Sequence, residues 1–190
     1  MRGILLLTLF LITLLSCDKE QDGEVTKLND LFLVTGMHVV DAYGHVMQIY
    51  GNPNDSNRES TVDNEGVIGG SNYSYAFYPN PVSDILTIQT PVEKIESLWV
   101  VKGKVSSNYR NIDFTDYFTT ETLDTVDIDR NSVVKLKDIN ATRVLNINLS
   151  EEVEDGFYKV IFKTESSVHW FSIIKTGEDI ETVEQKYFPW

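Results

Sequence analysis

Asp127, Asp129, Asn131 and Asp138 stand at positions 1, 3, 5 and 12 of one span, the spacing at which a calcium loop presents oxygen ligands. The match is incomplete. Ser132 replaces the glycine of the sharp turn, Asp138 stands where a bidentate glutamate belongs, and residues 132–138 read as a strand. An Asx-type turn leading into that strand is the favoured reading of the four residues. Histidine chemistry is sparse. If Tyr43-Gly44 forms a two-residue hairpin loop, His38, Val40, Ala42, His45, Met47 and Ile49 share one mostly apolar face. His38 then lies about 13 Å along the strand from His45, too far for both to bind one metal. His169, between Val168 and Trp170, reads as a strand-face residue. No nucleophile stands next to a base in a known spacing, and no Gly-rich phosphate loop or cysteine cluster occurs. The sequence predicts neither a catalytic residue nor a cofactor.

Cys17 is the one cysteine, so no disulfide can staple the chain. It follows Arg2 and an uncharged apolar run, Ile4 to Leu15. That run has the form of a secretory h-region and falls short of the roughly 20 residues a membrane span needs. Leu14-Leu15-Ser16-Cys17 resembles the lipobox of bacterial lipoproteins. The resemblance implies removal of residues 1–16 and acylation of Cys17, which then joins the protein to a membrane through two or more acyl chains. Asp18, Glu20, Asp22 and Glu24 follow at once in an acidic tether over residues 17–30. They resemble the acidic export signal of Bacteroidetes-type surface lipoproteins, which implies an outer-membrane protein displayed on the cell. A plain solubilising spacer is the other reading of the same residues. Asp124-Thr125-Val126 resembles the short O-glycosylation site of such bacteria, with Thr125 as acceptor.

Asp and Glu number 29 against 16 Lys and Arg, a net charge of −13, which disfavours nucleic acid and anionic lipid as partners. The acids are spread along the chain, as on a solvated surface. Beyond residue 30, short segments rich in Val, Ile, Tyr, Phe and Thr alternate with Gly, Asn, Asp and Pro, and no long segment has helical period. The pattern predicts an all-β chain folded as an antiparallel β-sandwich, since each strand must bury one face. Residues 31–72 are expected to form a small N-terminal hairpin and a polar loop, residues 73–176 the sandwich with an insertion at about 107–141, and residues 177–190 a tail. Strands are expected at 73–78, 84–90, 95–101, 104–108, 132–138, 143–149, 156–163 and 168–175. Tyr158, Val160 and Phe162 should oppose Lys159 and Lys163.

Tyr78-Pro79-Asn80-Pro81, with Val82-Ser83-Asp84 and the run Ile85 to Ile88, resembles the opening of the C-terminal sorting domain of type IX secretion substrates. Leu98 to Val105 is similar to that family's strand, turn and strand, and Asp155 to Val160 to its Gly-x-Tyr strand. The resemblance spans residues 73–175 and implies a small immunoglobulin-like sandwich. The insertion, the residues after Lys175 and the lipobox depart from that family and argue against a working sorting signal. The expected role is a non-catalytic envelope lipoprotein with a protein partner. A glycan- or peptide-binding module is the alternative, and it predicts an exposed platform drawn from Tyr73, Tyr75, Phe77, Tyr78, Trp99, Trp170 and Trp190. An enzyme would need a polar pocket around a histidine.

Overall fold

The computed structural model describes residues 32–56, 75–106, 114, 118–120, 123, 125–139, 143–150 and 153–187. All of them fall in one compact unit, Phe32–Trp190. The expectations for Cys17, the acidic tether, Tyr73 and Trp190 lie outside the described residues.

The unit is mostly β. Its strands are β1 (Leu33–Val34), β2 (Gly36–Val40), β3 (Val46–Gly51), β4 (Ala76–Tyr78), β5 (Ile85–Gln89), β6 (Ile95–Lys102), β7 (Lys104–Val105), β8 (Ser132–Leu136), β9 (Val144–Asn148), β10 (Gly156–Thr164) and β11 (Val168–Lys175). Two short helices join them, α1 (Thr125–Asn131) and α2 (Ile180–Tyr187). One antiparallel sheet runs β11-β10-β6-β8, a second β4-β5-β9 and a third β2-β3, while β1 and β7 pair in parallel. No helix among the described residues is long and apolar enough to cross a membrane.

Alternation places the core. In β5, Leu86 and Ile88 are buried while Ile85, Thr87 and Gln89 are not. They join Phe77 of β4 and Ile147 of β9 in one cluster with Leu98, Val100, Tyr158, Val160, Phe162, Phe171 and Ile173 of the four-stranded sheet. Phe77 and Phe171 stack with ring centroids 3.9 Å apart. β10 lies between two strands and is covered on both faces, so the alternation expected for it holds but its second face is not solvent. Lys159, expected to point outward, is buried there. Phe114 and Phe118, from the expected insertion, lie over that face against Trp170. The same insertion supplies α1 and β8, and β8 extends the sheet through β6.

Several local expectations change. β2 and β3 close through a five-residue loop rather than two: Asp41 Oδ1 accepts the amides of Tyr43 and His45, and Gly44 alone takes a left-handed φ of 92°. Residues 127–131 form the end of α1, not an Asx turn, and residues 177–190 are not a plain tail, since α2 occupies most of them. Helices of seven and eight residues are too short for helical period to show in sequence. The Asp179 carboxylate caps α2 by accepting the Thr182 amide at 2.9 Å. β7 follows β6 after Gly103 alone and runs beside β1 instead of turning back. A Cβ on Gly103 would meet Val34 Cγ2 at 2.6 Å, so any side chain there would have to displace Val34.

The hairpin packs on the larger sheet. Met37, Val39 and Tyr50 share a buried cluster with Phe157 of β10, Ile174 of β11 and Val183 of α2. Tyr78-Pro79-Asn80-Pro81 forms the junction, with cis peptides before both prolines. Asn80 pairs with Val40 through two backbone hydrogen bonds of 2.7 and 2.8 Å. Two residues on, Val82 pairs in parallel with Lys175.

Candidate functional site

β11 is the edge of its sheet, and a bare edge leaves a row of backbone donors and acceptors open. Here other segments occupy that row. Ser56 N donates to Trp170 O at 2.9 Å, and Trp170 N donates to Ser56 Oγ at the same distance. Ser172 N donates to Asp55 Oδ1 at 3.1 Å, and Ile174 N to Asn80 Oδ1 at 3.0 Å. Asn80 Nδ2 donates to Ser172 O and to His38 O, which ties the hairpin to the edge. The polar run from residue 51, expected to be a long loop, thus begins as an edge cover, because Asp55 and Ser56 supply short oxygen side chains at strand spacing.

Next to this edge lies a buried polar cluster that alternation alone could not announce. Lys159 pairs in register with Ser172, and neither Lys159 Nζ nor Ser172 Oγ has a hydrogen-bond partner among the described residues. The ammonium sits 3.6 Å from the centre of the Phe114 ring. Burial pulls the Lys159 amine down to about 7, against an opposing attraction from Asp55. Asp55 is itself nearly enclosed, and His38 Nδ1 lies 2.8 Å from its Oδ2. The signal in the sequence was a lysine on the central strand of an otherwise apolar run.

Each histidine has a structural partner. His38 meets Asp55, His45 Nδ1 lies 2.8 Å from Asp41 Oδ2, and His169 is packed between the rings of Tyr75 and Phe162 at centroid distances of 5.2 and 5.0 Å. Among the described residues no histidine nitrogen is hydrogen-bonded to a serine or threonine hydroxyl. Burial, only partly offset by the charge of Glu93, lowers His169 to about 4. A histidine depressed from 6.5 to about 4 favours the native state fully above pH 6.5, and that advantage is lost as pH falls toward 4. We therefore expect the wild-type chain to lose about 3 kcal/mol of stability over this window relative to His169→Phe. Urea unfolding of both proteins at pH 7 and pH 4 measures it, and an unchanged difference between them would refute the assignment.

The calcium-loop residues are not assembled as ligands. Asp127 and Asp129 lie on α1, where successive residues turn by about 100° and cannot line one loop. Asp127 Oδ1 accepts from Arg130, and Asn131 Nδ2 donates back to Asp127 O at 2.7 Å. Asp129 accepts from Lys135, Lys137 and the indole of Trp99. Burial raises its carboxyl, but these donors outweigh it and hold the group down to about 2. Asp138 lies two residues beyond β8 with a left-handed φ of 52°. Among the described residues no three His, Cys, Asp or Glu side chains converge on a metal position. Thr125 is the first residue of α1 and is half-buried, and Asp124 lies outside the described residues.

Four residues of the expected aromatic platform are interior, and Tyr78 is half-buried. Tyr75, Phe77, Trp99 and Trp170 are buried, and the Tyr75 hydroxyl lies 2.9 Å from the backbone oxygens of both Ser56 and Trp170, with one proton to share between them. Exposed apolar side chains are spread over the unit, Val92, Val126 and Ile85 among them, and four fall close together on the hairpin: Tyr43 at 77%, Met47 at 67%, Ile49 at 55% and Val46 at 36%. Comparison with protein-family models, curated proteins and solved structures returns no match.

Proposed function

We propose that this chain is a lipid-anchored, non-catalytic lipoprotein of the outer membrane, held through Cys17 and displaying a β-sandwich as an accessory or interaction component of an envelope assembly. The carrying observation is the N-terminal order: a positive flank, a twelve-residue apolar run, Ser16-Cys17, then four acids within eight residues of Cys17. The sandwich reading is supported by the one apolar cluster that the β4-β5-β9 and β11-β10-β6-β8 sheets share. The acidic tether favours the outer face of the membrane, and the fitting partner is an envelope protein rather than nucleic acid.

The anchor is tested by mass spectrometry of the N-terminal peptide from membrane fractions. It should carry acyl chains on residue 17, and Cys17→Ser should abolish them. An unmodified cysteine in the mature protein would overturn the reading. Surface display is tested separately by protease treatment of intact cells: cleavage before lysis supports it, and protection until lysis refutes it.

A further inference from the structure

From Tyr43 to Gly51 the hairpin contains no Asp, Glu, Lys or Arg, in a chain of which 24% is charged, and the one acid of its loop, Asp41, is tied to the Tyr43 and His45 amides and the His45 ring. Four of these nine residues are the exposed apolar side chains Tyr43, Val46, Met47 and Ile49. They cannot be explained as a core facing the wrong way. The inner face of the same hairpin, Met37, Val39 and Tyr50, is already buried against Phe157, Ile174 and Val183. Among the described residues β3 pairs in the sheet with β2 alone, and it carries neither the lysine nor the proline that usually blunts a strand edge. Asn80 and Asp41 hold the hairpin and its loop by side-chain hydrogen bonds, which fixes the apolar stripe in position.

We infer that this hairpin rests on the lipid surface that holds the anchor, with Tyr43, Met47 and Ile49 entering the interface of a neutral, zwitterionic leaflet. The inference rests on the lipoprotein reading above. Fourteen residues separate Cys17 from Phe32. At full extension they reach about 50 Å, so the hairpin lies within range of the bilayer. The β2-β3 hairpin follows β1 directly and lies at the N-terminal end of the described chain. A tyrosine at a loop tip beside aliphatic side chains suits the membrane interface, where a ring can be buried while its hydroxyl stays wet. Charge selects the lipid class. A chain of net charge −13 is repelled by an anionic surface, whereas a stripe without charged residues loses little on contact with a zwitterionic one. α1 packs at the β6 and β8 side of the sheet, whereas β2 contacts β11 at the other edge, so Val126 serves as a distant exposed control.

The test uses the full lipidated chain in phosphatidylcholine vesicles. Acylation blocks the thiol of Cys17, so Met47→Cys and Val126→Cys each introduce a single site for an environment-sensitive fluorophore. Lipid-borne quenchers placed near the headgroups should cause a severalfold loss of emission from position 47 and none from position 126. Adding Ile49→Asp to the Met47→Cys protein should remove the quenching. Equal, water-like emission at both positions overturns the inference. So does shielding of position 47 that rises with protein concentration and ignores the quenchers, which identifies a second copy or another protein strand as the occupant. Mass spectrometry of the same sample separates the two readings: a chain without acyl groups refutes the anchor, and an acylated chain with an unquenched label refutes hairpin docking alone.

Discussion

Replacing Lys159 with methionine is expected to stabilise the protein by about 4–5 kcal/mol at pH 6 and to make its stability less dependent on pH above 7. Lys159 is 1% exposed, its Nζ has no hydrogen-bond partner among the described residues, and the Phe114 ring is a weaker partner than water. The amine therefore titrates at about 7 in the native state, against 10.5 when unfolded. Between those values the unfolded chain binds the extra proton, so native stability rises with pH across the window. Below pH 7 the full cost of enclosing the charge is present. Methionine keeps the length of the side chain and removes the charge, so the difference between the two proteins should shrink steadily from pH 7 to pH 10. Urea unfolding of wild type and Lys159→Met at pH 6, 8 and 10 measures this. Two stability curves that run parallel would mean that the lysine is solvated or paired in solution.

Asn80→Ala should have an effect of similar size and opposite sign, a loss of about 4 kcal/mol. Asn80 is fully buried, and its side chain meets three backbone groups: the Ile174 amide, the His38 carbonyl and the Ser172 carbonyl. Alanine leaves all three without that partner, and an unsatisfied buried group costs about 1–3 kcal/mol. Asn80→Asp should not rescue the loss, because the carboxylate keeps the acceptor for Ile174 but faces two carbonyl oxygens with no proton to give. Hydrogen exchange provides a local readout. The Ile174 amide should lose its protection in Asn80→Ala more than the amides on the β10 side of β11. Equal protection of the Ile174 amide in wild type and Asn80→Ala would show that the Val40–Asn80 and Val82–Lys175 bridges suffice to hold the edge.

These two residues also mark where sequence reasoning stops. Tyr78-Pro79-Asn80-Pro81 was legible as a corner, because proline restricts itself and the residue before it. That the asparagine inside it would satisfy an edge strand 92 residues away in the sequence was not legible, since the partner groups are backbone and carry no residue signature. Lys159 was legible as the opposite face from Tyr158, and the structure agrees on the face. It disagrees on what lies beyond that face, because Phe114 and Phe118 come from a segment with no periodic pattern. The two helices escaped for a different reason: one or two turns do not complete enough of a 3.6-residue repeat to stand out.

The residue order by itself determined the strand alternation of β5, β9 and β10, the burial of one face of each, and the acidic surface balance. It also carries the order on which the proposed function rests, a short apolar run ending at Ser16-Cys17, which is read as linear sequence and needs no fold. Tertiary structure alone decided which second faces are covered and which remain open. It enclosed Lys159, His169 and the large aromatic rings, and it left Tyr43, Met47 and Ile49 in solvent. The physical reason is that alternation fixes the two sides of a strand relative to each other, while burial of a side depends on what a distant segment brings against it.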